Sequence, residues 1–346
     1  MDYARVLDSF GSIIEGDLKG HFDQLIKEAE DYHPFMGEVY RTAEEFVLRG
    51  GKRLSSCCTL MVYKGYTDQI DDRIVRVCAG VELYRHSILV HDDIADTELQ
   101  RRSGKTLHKI FEEHYNDHFG VGSAIFVGNM LYSLAIRAIL GSGFDNSKLM
   151  EVTKMFSSDF KEINESQILD LLFEYKQPSV EEWTVMASKR AASLFRTSMQ
   201  TGAVLASAPK KDCRILEETA RHIGSAFDVQ DDMIDTFSTK DQYGREPCGD
   251  ITKKKKPLHL ILALEKENNG RLAKIMHSGD KLTEKDIKNV QDLIRDCGAL
   301  EEAKSISRNH ASEAMRLIPQ TGMNEEAKDF FVSFIGYVAE SLEWYK

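Results

Sequence analysis

Two short acidic segments carry the residues best suited to chemistry: HDDIAD at 91–96 and QDDMID at 230–235. Each holds three aspartates at one spacing, Asp92, Asp93 and Asp96 in the first, Asp231, Asp232 and Asp235 in the second. On a helix the first and third of each set share a face, and the middle one is rotated by about 100°. Clustered carboxylates without His or Cys suit a hard cation. Mg²⁺ takes one or two carboxylates, keeps several waters and binds phosphate oxygens as well. The bland alternative is a solvated helix face. Against it, SILV precedes the first set and GSAFDV the second, both largely apolar. Basic residues follow each set: Arg101, Arg102 and Lys105 after the first, Arg245 and Lys253 to Lys256 after the second. Carboxylates for a metal beside cations for the remaining oxygens make a diphosphate site.

Other segments are weaker alone. RGGKR at 49–53 could cradle phosphate with glycine N–H groups and the charges of Lys52 and Arg53; an ordinary turn between helices is an equal reading. KKKK is usually a solvated run. His91 next to Asp92 could open an HD-type metal phosphohydrolase motif, but no further spaced His and Asp ligands follow, so it is expected either to support the neighbouring aspartates from behind or to pack.

The elements that must position these groups read as helices. Apolar residues recur every three or four positions, the chain has only 6 prolines, and alternation of the strand type is nearly absent. Val75, Ala79, Leu83 and Ile88 mark a long helix before the first set; Ile215, Ala220, Ile223 and Phe227 mark another before the second. Thr283 and Asp286 have capping-box spacing. The expectation is an all-α chain of ten or more helices. No linker or repeat divides it, which predicts one domain over residues 1–346.

Composition narrows the function. A net charge of −11 argues against a general nucleic-acid binder. The six cysteines form no CxxC pair, which fits a reduced, cytoplasmic setting. The first twenty residues lack the basic and apolar regions of a signal peptide. The apolar stretch 123–140 carries Asn129 and Arg137; at this length it is marginal for a bilayer. It is expected to be a buried helix, leaving no stable membrane anchor.

From Gly50 to Pro257 the chain resembles the trans-isoprenyl diphosphate synthases of the polyprenyl synthetase family. GGKR, VELYRHSILVHDDIAD, LQRRSGKTLH, ESQILDL, SKRAASLF, GSAFDVQDDMID and YGREPCGDITKKKKP carry the resemblance, in that order. It implies an isoprenoid-synthase helical bundle around a deep central apolar cavity, and a Mg²⁺-dependent reaction. An allylic diphosphate ionises, isopentenyl diphosphate attacks the cation, and a proton is lost. By matched position, Asp92, Asp93 and Asp96 would hold two Mg²⁺ and Asp231 with Asp235 a third, with Asp232 a weaker ligand; Mn²⁺ could substitute. Arg101, Lys189 and Lys255 would grip the allylic diphosphate, and Lys52 and Arg102 isopentenyl diphosphate, with Arg53 adding charge beside them. Gln167 and Asp170 match the helix lining the site opposite. A homodimer is the family expectation.

The chain departs from the family's usual residues at several positions. Ser55 stands for Arg, Arg85 for His, Arg190 for Thr and Asp228 for Gln; Ser103 looks inserted, and Pro257 stands where Thr is common. Arg85 could supply the phosphate-binding cation that Ser55 does not, or pair with Glu82 on its own helix face. Product length should follow from the residues beneath Asp92. Ser87 and Ile88 leave the first turn open, and Tyr84 would form a floor lower down, unless a helix bearing Phe126, Met130 and Leu134 closes the cavity first. Together these imply products of about 20 to 30 carbons, reached by family analogy. Two rival readings are a non-catalytic subunit of a heteromeric synthase and a class I terpene cyclase. No metal ligand is missing, as would be expected of such a subunit, and the second aspartate set stands where a cyclase carries an Asn/Ser/Glu triad.

Overall fold

The computed structural model describes residues 3–239, 247–267, 270–278 and 282–340. Its helices are α1 (Tyr3–Tyr32), α2 (Pro34–Leu48), α3 (Leu54–Thr67), α4 (Asp72–Ala95), α5 (Leu107–Glu112), α6 (Asp117–Leu140), α7 (Asn146–Tyr175), α8 (Val180–Ala187), α9 (Ala191–Leu205), α10 (Lys210–Phe237), α11 (Gly249–Thr252), α12 (Leu258–Lys266), α13 (Arg271–Met276), α14 (Glu284–Asp296), α15 (Ala299–Leu317) and α16 (Glu325–Glu340). The all-α expectation holds. Among the described residues the only strands are β1 (Gln100–Arg101) and β2 (Gly104–Lys105). The capping box at the start of α14 also forms, Thr283 and Asp286 exchanging backbone and side-chain bonds.

The chain divides into two compact units. One comprises Met1–Phe156, Thr197–Cys213 and Gly322–Phe330; the other comprises Ser157–Arg196, Arg214–Thr321 and Phe331–Lys346. In the first unit α4 is buried along most of its length and packs on α1, α3 and α6. Asp71 caps its start, accepting from the Ile74 N–H at 3.1 Å. Gly80 permits the close approach of α6: a Cβ there would lie 3.0 Å from the Ala135 carbonyl oxygen. The ring of His91 packs over Gly128 of α6, whose missing Cβ makes the space, so His91 is a packing residue, one of the two roles expected of it.

α6 is the one described helix long and apolar enough to cross a membrane by length and composition. It buries Ala124, Val127, Leu131, Leu134 and Ala135, but Phe126 is 68% exposed, with Ile125 and Leu140 also outside. The expected fully buried helix is therefore buried on one side only, and Phe126 closes no cavity.

The buried charges of this unit explain one departure from expectation. Arg53 is 4% exposed and turned inward. Its guanidinium meets Glu82 at 3.1 Å and Glu15 at 3.1 Å, and Ser56 donates to Glu82 at 2.6 Å. Arg53 thus stitches α1, α3 and α4 rather than facing a ligand. Glu82 is thereby occupied, which removes the alternative pairing considered for Arg85. Removing one member of a buried ion pair leaves the other charge uncompensated, so Arg53→Ala should cost about 3–5 kcal/mol. Urea unfolding of the variant beside the parent chain checks this; a loss under about 1 kcal/mol, the range of an exposed pair, would contradict it.

The second unit has its own core. Phe173, Trp183 and Met186 pack with Val229 and Met233 of α10 and with residues of α12, α14 and α15. Gly224 of α10 sits against the backbone of Ala191 and Ala192, where a Cβ would collide. This close approach presses α10 onto the start of α9, directly after Lys189 and Arg190.

Candidate functional site

The first aspartate set occupies the last turn of α4. Asp93 is 1% exposed and Asp92 partly so, and Asp96 forms the helix cap, its N–H bonded to the Asp92 carbonyl at 2.8 Å. The carbonyl end of a helix is already negative. Three carboxylates there make a local field that calls for cations. One comes from the chain: Arg101 reaches Asp93 Oδ1 at 2.7 Å and Asp92 at 3.5 Å. Burial pushes the Asp93 carboxyl up to about 6, with Arg101 opposing it. Its other oxygen, Oδ2, is buried with no hydrogen-bond partner among the described residues.

The strand pair β1–β2 aims the two arginines. Gln100 pairs with Lys105 and Arg101 with Gly104, leaving Arg102 and Ser103 as a two-residue turn with φ of 50° and 62°. Positive φ at both positions is the turn type that suits a short hairpin. The residue that looked inserted, Ser103, is half of this turn. Arg101 goes to the aspartates. Arg102 bends the other way, donating to the Gly50 carbonyl at 2.8 Å and the Arg49 carbonyl at 3.2 Å. It also meets His86 Nε2 at 3.2 Å, while His86 Nδ1 lies 2.7 Å from the Glu82 carbonyl. A neutral imidazole with its proton on Nδ1 satisfies both neighbours; burial and the Arg102 charge hold the His86 pKa far below its usual value. Sequence reading passed over His86, although it sits between Arg85 and Ser87.

Arg102 therefore braces the glycine loop. Burial and the neighbouring charges of Arg53, Arg101 and Arg85 depress it to about 10. Several guanidinium groups held close together repel, which a bound anion would relieve. Lys52 and Arg85 are half-buried beside this region and have no ion-pair partner among the described residues. Lys105, by contrast, pairs with Glu113 at the surface.

Tyr84 is fully buried. Its ring packs against Phe156 at 4.8 Å and Tyr132 at 6.2 Å between centroids. Ser87 contributes no bulk, its hydroxyl bonded to the Tyr84 carbonyl at 2.8 Å, and Ile88 is 8% exposed. The expected single residue below Asp92 is thus one member of an aromatic cluster. Phe156 and Tyr132 were missed because they lie 72 and 48 positions from Tyr84 in sequence.

In the second unit Asp231 is half-buried and Asp232 and Asp235 are buried near the end of α10. Asp235 accepts from the Gly249 N–H at 3.2 Å and the Asp250 N–H at 3.0 Å, one on each oxygen. It anchors the start of α11 and so fixes the lysine segment that follows. Arg190 lies among three carboxylates: Asp228 at 3.0 Å, Asp232 at 3.4 Å and Asp170 at 3.9 Å. Two departures from the family, Arg190 and Asp228, are therefore partners. Burial pushes Asp228 up to about 6 against the pull of Arg190. Asp232 Oδ2 is buried with no hydrogen-bond partner among the described residues.

Lys255 meets Asp170 at 3.3 Å, while Lys254 bonds the Ser278 carbonyl and Lys256 the Lys254 carbonyl. Lys189 pairs with Glu165 at 2.7 Å on a more open surface. Gln167 is half-buried one turn of α7 before the Asp170 end of this network. Arg245 lies outside the described residues. Among the described residues no three His, Cys, Asp or Glu side chains converge on a ready-made metal point. Each aspartate set does offer one buried carboxylate oxygen, Asp93 Oδ2 and Asp232 Oδ2, with no hydrogen-bond partner among the described residues, and carboxylate oxygens are ligands that suit Mg²⁺.

The polyprenyl synthetase family profile matches residues 37–294, and the chain belongs to that family: it is a prenyltransferase. Among curated relatives, a short chain isoprenyl diphosphate synthase of Methanocaldococcus jannaschii is 29% identical over 281 residues, covering 80% of this chain and 82% of the relative. A geranylfarnesyl diphosphate synthase of Aeropyrum pernix is 25% identical, covering 85% of this chain and 91% of its own. Among solved structures, the geranylgeranyl pyrophosphate synthase of Corynebacterium glutamicum, complexed with isoprenyl diphosphate and magnesium, superposes with a TM-score of 0.91 at 22% identity, covering 96% of this chain and 99% of that one. At that identity the likeness shows the shared fold.

Proposed function

We propose that this chain, as one synthase domain, condenses isopentenyl diphosphate with an allylic diphosphate to give an all-trans prenyl diphosphate of about 20 to 30 carbons, by analogy with its geranylgeranyl and geranylfarnesyl relatives. The observation that carries the reading is the pairing, in each aspartate set, of a buried unfilled carboxylate oxygen with an arginine already on the neighbouring oxygen. Asp92, Asp93 and Asp96 would hold two Mg²⁺, and the second set a third, with Asp235 tied to the Gly249 and Asp250 N–H groups. Bound Mg²⁺ would supply charge that stabilises the departing diphosphate.

The chain's own groups do the rest. Arg101, which lies on Asp93 and Asp92, would bind the allylic diphosphate, joined by Lys189 and Lys255. Lys52, Arg102 and Arg85 bind isopentenyl diphosphate. The apolar residues between Tyr84 and Asp92, Ile88 to Val90 among them, would keep water from the prenyl cation. With Glu82 committed to Arg53, Arg85 is available to replace the cation absent at Ser55. Arg85→Ala should then raise the KM for isopentenyl diphosphate about tenfold, the loss of one charge-assisted hydrogen bond, with the allylic KM little changed. Equal KM values for variant and parent would end the compensation idea.

The exposed apolar side of α6, with Ile125, Phe126 and Leu140, supports a homodimer that covers it. A cytoplasmic location fits six free cysteines. The test of the reading is pyrophosphate release by the purified chain alone with Mg²⁺ and both diphosphates. Release supports a complete enzyme; silence under conditions where the chain is folded points to a non-catalytic subunit.

A further inference from the structure

The inference rests on the synthase reading and on the arrangement of the second aspartate set. Asp235 has both oxygens on backbone amides of α11. Asp228 is held on one oxygen by Arg190 and on the other by the Ala191 N–H at 3.3 Å. Asp232 differs from both: Arg190 takes Oδ1 only, and Oδ2 is left buried and unfilled among the described residues. Arg190 is itself fixed. Its guanidinium lies 6.0 Å from the Trp183 ring centroid, and the close approach at Gly224 sets the distance between its backbone and α10.

We propose that Arg190 is a positioning residue for the metal: by gripping Asp232 Oδ1 it presents Asp232 Oδ2 as a ligand of the second aspartate set, while Asp235 serves as the cap that fixes the lysine segment. Asp228 completes the device. It balances the charge of Arg190 and locks the guanidinium plane, so that the arginine and the aspartate work as a unit. Lys255 and Arg190 share Asp170, which ties the same unit to a diphosphate-binding lysine.

The test is Mn²⁺ binding followed by paramagnetic resonance with inorganic pyrophosphate as the anion, a readout that needs no turnover. Removal of a group that orients a metal ligand typically costs 10- to 100-fold in metal affinity. Asp232→Asn and the double variant Arg190→Thr with Asp228→Gln are each expected to weaken the last Mn²⁺ to bind by about that factor. Asp235→Asn should weaken it much less. The double variant removes both buried charges together, so it is expected to remain folded where Arg190→Thr alone loses stability. Arg190→Lys, which keeps the charge and loses the fork, should fall between. A purely structural role would shift the melting temperature and leave the Mn²⁺ isotherm of the folded protein unchanged; that result, in the double variant or in Arg190→Lys, overturns the proposal. So does a larger loss in Asp235→Asn than in Asp232→Asn. Failure of the synthase reading is separate: the parent chain would then bind no Mn²⁺ with pyrophosphate at all.

Discussion

Asp93→Asn should lower the rate of pyrophosphate release by about 10²- to 10³-fold, the typical effect of removing one group that stabilises charge in a reacting site. The substitution keeps the shape of the side chain and removes its charge. Asp93 is 1% exposed at the carbonyl end of α4, with Arg101 on one oxygen and no hydrogen-bond partner among the described residues on the other. Its stability signature should run the opposite way from the damage to activity. Burial makes this carboxyl harder to ionise in the folded chain than in the unfolded one, raising it to about 6. Such a group gives its full contribution at low pH and loses it as pH rises through the folded value. At neutral pH an uncharged amide therefore relieves a cost, and the melting temperature should be unchanged or higher. A variant that is both inactive and much less stable would mean Asp93 serves the fold rather than the chemistry.

Tyr84→Ala should lengthen the product by at least one isoprene unit. Tyr84 lies eight residues before Asp92 on one helix, about 12 Å along the axis, and packs with Phe156 and Tyr132. Deleting a fully buried aromatic ring costs about 3–5 kcal/mol, so Tyr84→Leu is the companion variant, opening less space at less cost. Mass analysis of the dephosphorylated products gives the chain length. The same distribution from both variants and the parent would place the floor elsewhere.

Much of this site was legible because its signals are local. The two aspartate sets are defined by spacing within six residues, and the helices that carry them by the period of their apolar positions. What escaped depends on partners far apart in sequence. Arg53 looked like a phosphate ligand in RGGKR, but Glu82, 29 positions on, and Glu15, 38 positions back, draw it inward. Arg190 and Asp228 were visible as departures, yet their pairing needed the packing of α10 on the start of α9. A signal was present: two departures of opposite charge, one beside Lys189 and one beside the second aspartate set. Asp235 matched a metal ligand by spacing, and only the folded chain shows it capping α11.

The proposed function requires each aspartate set to take part in metal-dependent diphosphate binding. It is tested most directly by titrating pyrophosphate, in the presence of Mn²⁺, into the parent chain and into Asp92→Ala and Asp231→Ala variants by calorimetry. Binding is expected for the parent, with the affinity reduced by about 10-fold or more in either variant, as for the loss of a charged partner. An affinity left unchanged by either substitution would contradict the account.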